Sequence, residues 1–309
     1  MTSFFPLDQM RTLLAVVDEG TFDAAAAALH VTPSAVSQRV KALEQGTGRV
    51  LLLRTKPVRP TESGEVVLRL ARQLVQLERD ARAELGVAGE PATVPIAVNA
   101  DSLATWFLPA LTRVPEGICF ELHREDEERT TRLLREGVVM AAVTSSAEAV
   151  QGCSVSALGR MRYLPVASPD FVARWLDRPF RRVIGDVPVV VFDRHDELQD
   201  KFARTLRRPG AGPARHYVPA SEGYVDAVIA GLGWGLVPAA QAGPRLASGA
   251  LVLLEPGRTM DVPLYWQQWK LHSPALSATA RAVTAAAKDA LVPPKPRDRP
   301  ALRLSSLDT

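Results

Sequence analysis

Ahead of Gly48 stand three amphipathic helix patterns in close succession, each with one apolar face to bury. In the first, Leu7, Met10, Leu14 and Val17 recur at three- and four-residue steps up to about Glu19, and Gly20 suits the left-handed position that ends a helix. Thr21 can cap a second helix carrying Phe22, Ala25, Ala26 and Leu29, whose alanines let a neighbour approach closely. After a turn at His30 and Val31, Thr32 supplies an N-cap and Pro33 the first helical position of a third.

On that third helix Val36, Val40 and Leu43 share one face, while Ser34, Gln38, Lys41 and Gln45 fall opposite, with Ser37 on the flank. Such side chains can hydrogen-bond base edges and phosphates in a major groove. Taken alone, the face is equally the solvated side of any amphipathic helix. The next residues tip the balance. Residues 49–61 supply short β-prone runs with Arg54, Lys56 and Arg59 at their turn, and a basic hairpin of this kind rests on flanking phosphates. The combination predicts a winged helix-turn-helix over residues 1–61 that binds double-stranded DNA. Its contacts are expected from Thr32, Pro33, Ser34, Ser37, Gln38 and Lys41, with Arg54, Lys56 and Arg59 in the wing.

The run Phe22-x-x-Ala25-Ala26-x-x-Leu29, Ser34-Ala35-Val36-Ser37, Leu43-Glu44, Gly48, Leu51, Arg54 and Thr61-x-x-Gly64 resembles the signature of LysR-type transcriptional regulators. Leu52 and Pro60 depart from it, standing where the family usually has Phe and Leu, and both fall in the wing. The resemblance implies base or groove contacts for Ser34, Ser37, Gln38 and Lys41, and backbone contacts for Arg54 and Arg59.

Thr61 can cap a long helix over residues 62–85, on which Val67, Leu70, Leu74, Leu77 and Ala81 form a heptad-like seam. The sixty preceding residues offer this seam no obvious partner, so a second copy of the helix is expected to cover it. The chain is then a homodimer whose two heads address two half-sites. Packing of the helix on its own C-terminal domain is the alternative. Tetramers and contact with RNA polymerase stay open. Within the linker, residues 62–91, the stretch from Gly86 to Pro91 reads as a hinge.

Beyond residue 92 strand and helix patterns alternate, which implies mainly parallel sheet covered by helices. The overall class is α+β: a winged head, a long dimerisation helix and a two-lobed α/β domain over 92–292. Its lobe I is expected from 92–167 and 266–292, and lobe II from 168–265. Strands are expected at 94–100, 118–124, 138–143, 189–192, 216–218, 234–237 and 262–267. Two such lobes resemble the periplasmic-binding-protein-like effector domain of the same regulators, with a ligand cleft at strand carboxyl ends. Asp101 and Ser102, Thr144 and Ser145, and Asp193 and Glu222 are the expected effector contacts: hydroxyls for a carboxylate, carboxylates for ammonium groups. Each segment is also ordinary helix-capping sequence. From the residues alone, the ligand is a small zwitterion or anion.

Asn99-Ala-Asp-Ser-Leu-Ala-Thr-Trp106-Phe, Glu125-Asp-Glu, Leu133-Leu-Arg-x-Gly137, Pro219-x-Ser-Glu-Gly223, Gly231-Leu-Gly-Trp-Gly-Leu236 and Tyr265-Trp-Gln267-x-Trp269 are similar to the ArgP/LysG branch of the family. That resemblance implies lysine or arginine as effector and control of amino-acid export as output. It ends near Leu291; the Pro-, Lys- and Arg-rich residues 293–309 are expected to be disordered.

Other signals carry less. Gly231, Gly233 and Gly235 precede a strand, the reverse of a dinucleotide loop. His123 lacks metal-ligand spacing, His195 stands alone, and no serine has an elbow motif, so no metal, cofactor or catalytic residue is expected. A solute-binding protein and an enzyme on an α/β scaffold are the competing readings. The head and the amino terminus, which does not read as a signal peptide, speak against the first; the want of a catalytic constellation speaks against the second. Cys119 and Cys153 suit two reduced thiols. With 47% hydrophobic and 23% charged residues and no apolar run of membrane-spanning length, the sequence reads as a cytoplasmic globular protein.

Overall fold

The structure, a computed structural model, describes residues 5–87, 91–125 and 127–298. The head forms from α1 (Leu7–Asp18), α2 (Phe22–Ala28) and α3 (Pro33–Thr47). Thr21 Oγ1 accepts from Ala24 N at 3.1 Å and Thr32 Oγ1 from Ala35 N at 3.2 Å, so both caps are made as their positions imply. Gly20 and Gly48 take left-handed φ of 73° and 64° at the helix ends. Met10, Leu13, Val16, Ala25, Val36, Val40 and Leu43 bury the three apolar faces in one core.

The wing is a short hairpin of β1 (Leu52–Leu53) and β2 (Arg59–Pro60). Leu52 stands opposite Pro60, so the two departures from the family signature are cross-strand partners of each other. Glu44 Oε1 accepts from Leu51 N at 2.8 Å and anchors the hairpin to α3.

Helix α4 (Glu62–Glu84) starts on Thr61, whose Oγ1 accepts from Gly64 N at 3.0 Å. Here the expected seam needs correction. Val67 is buried in the head core with Leu68 and Ala71, and Leu70 and Leu74 pack half-buried against it. The head therefore does cover the first half of the seam. Leu77 and Ala81 stay exposed, on a stripe that starts from the exposed Val66. The physical reason is that α1 lies along α4, held by ion pairs of Arg11 with Glu78 and of Arg72 with Asp18. Of the expected hinge, Gly86 has φ 64° and ends α4, and residues 88–90 lie outside the described residues.

In the C-terminal domain β3 (Ala92–Val98) leads through α5 (Ala100–Ser102), a π-helical turn (Leu103–Phe107) and α6 (Leu108–Leu111) to β4 (Ile118–Arg124). Then come α7 (Glu127–Glu136), β5 (Ala141–Thr144) and the long β6 (Cys153–Ala167). The second half adds α8 (Pro169–Trp175), α9 (Phe180–Val183), β7 (Val189–Val191), α10 (Leu198–Thr205), β8 (Arg215–Tyr217), α11 (Ser221–Ile229), β9 (Gly235–Pro238), α12 (Ala239–Ala247) and β10 (Val252–Leu253). The long β11 (Met260–Trp269) and α13 (Pro274–Ala290) complete it.

The main sheet runs β10-β6-β11-β5-β3-β4, with β9 also on β6, while β7 and β8 form a separate parallel pair. Strands β3, β4 and β5 are parallel, and the antiparallel β6 and β11 run through both halves, with a bulge at Leu264/Tyr265. Neither β6 nor β10 has a counterpart among the strands expected from sequence. Residues 153–158 alternate apolar positions with serines and a glycine follows, a weak strand signal.

One residue of the tail, Asp298, is held by the domain. Val292 is bonded to the sheet, Arg160 N donating to Val292 O at 2.8 Å and Val292 N returning a bond at 3.0 Å; past the exposed residues 293–296, Asp298 is buried 3.6 Å from Arg160. A buried arginine in β6 draws this segment in to supply the opposite charge. Residues 299–309 of the tail expectation lie outside the described residues.

Candidate functional sites

Helix α3 presents Thr32, Pro33, Ser34, Gln38 and Lys41 to solvent, with Ser37 half-buried beside them. The opposite face, Val36, Val40 and Leu43, is fully buried, so rotation of the helix is fixed and the polar face is held outward. Arg54, Lys56 and Arg59 are exposed on the wing, and the Arg54 guanidinium stacks 5.3 Å from the Phe22 ring centroid. Among the described residues Lys41, Arg54, Lys56 and Arg59 have no ion-pair partner. By contrast Arg39, on the same helix, leans on Asp8 at 3.9 Å and Thr12 at 3.4 Å. The outward basic groups are thus available to phosphate.

The second site lies where strand ends face each other. Strands β3 and β5 are adjacent and parallel, so Asn99–Ser102 and Thr144–Ser145 emerge from one end of the sheet. Strands β7 and β8 likewise send Asp193 and Ser221–Glu222 out from their shared carboxyl end. Asp101 joins the two ends. Its Oδ1 accepts from Ser221 Oγ at 2.7 Å and its Oδ2 from Tyr163 Oη at 2.8 Å. Ser221 also lies 3.3 Å from Gln241 Oε1.

The cluster carries unusual charge. Desolvation raises the Asp101 carboxyl above the ordinary range, against the pull of its two hydroxyl donors, and Asp196 adds to the rise. Tyr163 is pushed well up by burial and then by the Asp101 charge. Among the described residues no cation stands within ion-pair distance of Asp101 or Asp196.

Of the other expected contacts, Ser102 is buried with its Oγ unpartnered, and its N–H is taken by Asn99 Oδ1 at 2.8 Å. Thr144 is buried and its Oγ1 accepts from Ser146 N at 3.0 Å. Asp193 turns back on its own loop, Oδ1 accepting from His195 N at 2.7 Å and Asp196 N at 3.0 Å. Glu222 is exposed in the first turn of α11. Tyr163 and Gln241 were invisible as site residues: each sits in a pattern that reads as core strand or helix. Ser221 left a faint signal, because Ala220 holds the N-cap position and the serine hydroxyl is spared for Asp101.

Residues 7–65 match the model for the bacterial regulatory helix-turn-helix protein, lysR family, and residues 87–288 the LysR substrate binding domain. The chain belongs to the LysR family. This LysR-type regulator is 44% identical over 298 residues to the lysine export transcriptional regulatory protein LysG of Corynebacterium glutamicum, covering 92% of this chain and 99% of that one. The crystal structure of ArgP from Mycobacterium tuberculosis superposes with TM-score 0.87 at 46% identity, over 93% of this chain and 98% of that one. Full-length LysG from C. glutamicum with bound effector Arg superposes with TM-score 0.79 at 40% identity, over 94% and 100%. The helix-turn-helix assigns DNA as partner. Among the described residues no helix is long and apolar enough to cross a membrane.

Proposed function

We propose that this LysR-type regulator is controlled by a basic amino acid, arginine or lysine, and that it regulates export of such amino acids. The carrying observation is Asp101, a desolvated carboxyl bridging the facing strand ends through two hydroxyl donors, beside a second carboxylate, Asp196, that accepts from backbone N–H groups; neither has an ion-pair partner among the described residues. A cationic group entering the cleft supplies the missing counter-charge. The ligand carboxylate then meets the turn at Asn99–Ser102 and the hydroxyls of Thr144 and Ser145. The relatives named for lysine export and for bound Arg support the same ligand class.

In this reading the head covers residues 1–61, the linker 62–91 and the effector domain 92–292, its lobes dividing at 167 and 265. The exposed end of the α4 stripe, Leu77 and Ala81, pairs two copies into a homodimer, and no catalytic step is involved. Calorimetric titration of the full chain with arginine, lysine and citrulline tests the ligand. Citrulline keeps the shape of arginine without its charge. Arginine or lysine is expected to bind at least tenfold tighter than citrulline, a difference of about 1.4 kcal/mol. Equal affinity for citrulline contradicts the reading.

A further inference from the structure

The described residues place one side chain at the meeting point of head, linker helix and lobe I. Arg72, in the middle of α4, donates from Nη2 to Asp18 Oδ1 at 3.0 Å and from Nη1 to the Glu136 carbonyl at 2.8 Å. Asp18 is the last residue of α1 and Glu136 the last of α7, so one guanidinium bridges two helix C-terminal ends from separate domains. A cation is favoured at the second of these for its own reason: the carbonyls closing α7 lack intrahelical donors and carry partial negative charge. The first is a charge-assisted pair with the arginine side chain 19% exposed.

Immediately beside it, Gly137 turns with φ 75° against the linker, and a Cβ there would meet Arg69 Cα at 3.1 Å. Next to this contact the domains part around a cavity of about 410 Å³ lined by Asp18, Arg72, Gln76, Glu121 and Trp269. The junction is thus packed tightly at Gly137 and open beside it, with the Arg72 bonds at the boundary between the two. From Gly137 it is a short, stiff path to the cleft: β5 is buried along its whole length and ends at Thr144. The two ends of that path are the Arg72 contact and the cleft hydroxyls.

We infer that Arg72 is the positioning residue that ties the head to lobe I, so that movement of β5 and α7 reaches the DNA-binding helices through this bridge. It acts through Asp18 and Glu136 and touches neither DNA nor effector. The head orientation is then not left to the chain segment after Gly86 alone. Two partners on two bodies give the bridge two arrangements, both bonds made or one released, and an effector shifts the balance only by favouring one of them.

The test uses the full chain and its Arg72→Ala and Asp18→Asn variants. Small-angle scattering without any effector is expected to show a more extended particle for Arg72→Ala than for wild type. Operator binding in the absence of arginine and arginine affinity are each expected to stay within threefold. The ratio of operator affinities with and without saturating arginine is expected to fall to within twofold of unity. Asp18→Asn keeps the Glu136 bond and is expected to lose only part of the ratio, which also covers the case of an unfolded Arg72→Ala. An unchanged scattering profile together with a wild-type ratio overturns the inference. The arginine arm alone rests on the proposed effector. If arginine does not bind the wild type, that reading fails, and scattering still decides the bridge: extension supports it and an unchanged profile overturns it.

Discussion

The head and the cleft handle their polar groups in opposite ways. On α3 the apolar face is fully used and the polar face points outward; among the described residues Lys41 there and Arg54, Lys56 and Arg59 on the wing have no ion-pair partner, ready for a partner that brings its own negative charge. At the strand ends, Asp101, Tyr163, Ser221 and Gln241 have turned to one another. A DNA surface can be presented in advance because water solvates it at little cost. A cleft that closes around a small ion holds most of its buried polar groups on one another and exchanges those partners for the ligand. The same contrast separates rigid recognition in the head from a domain whose contacts can change.

Substitutions can sharpen or break that comparison. The largest effect is expected from Gly64→Ala, because the new Cβ would stand 2.0 Å from the Leu51 carbonyl oxygen. It should cost the head about 3 kcal/mol. Calorimetry should show this as a lowered head transition beside an unmoved transition of the effector domain. A single transition shifting as a whole would show that the two regions do not melt separately. Next come Ser37→Ala and Lys41→Ala, each expected to weaken operator binding by roughly 1–3 kcal/mol at fixed salt without altering thermal stability. Wild-type affinity in both would move the recognition contacts elsewhere.

Asp101→Asn should do two opposite things. Its carboxyl titrates above the ordinary value of 3.8 when folded, so the ionised form costs stability above that folded value, and the cost is relieved as pH falls toward 3.8. The amide removes the cost, and the unliganded variant should therefore melt higher than wild type at neutral pH. It should also bind arginine at least tenfold more weakly. A variant that melts lower and binds equally well would make Asp101 a structural residue. The smallest effect is expected at Asp200, whose carboxyl is lowered by Arg215 through bonds of 2.7 and 3.0 Å. Here the sign reverses. The ionised pair stabilises the fold above the unfolded value of 3.8, and the benefit is lost as pH falls through the lower folded value. Melting curves of Asp200→Asn should approach wild type only in acid; parallel curves at every pH would show that the pair contributes nothing.

How far the sequence could be read follows the same division. The caps at Thr21 and Thr32, the glycines at 20 and 48, and the burial of Val36, Val40 and Leu43 are local events within a turn or two of chain. Local pattern found them. The pairing of Leu52 with Pro60 was readable only as two oddities in one hairpin, and the structure sets them opposite each other. In the cleft, Asp101 meets partners 62 and 120 residues away, so composition and spacing could suggest Asp101 and Ser102 and give no sign of Tyr163. On α4 the period revealed an apolar stripe without saying what covers it, and the head took Val67. The burial of Asp298 could not be read from the polar tail, because its partner, Arg160, belongs to a strand far away in the chain.

The central claim is that one chain links a basic amino acid to an operator. The most direct test is to measure operator affinity of the full-length protein across a titration of arginine, then arginine affinity with and without operator. The two couplings must be equal by linkage. Arginine is expected to shift operator affinity by about 5- to 150-fold in one direction, operator to shift arginine affinity by the same factor, and citrulline to do neither. Operator affinity unmoved by bound arginine, or moved equally by citrulline, would contradict it.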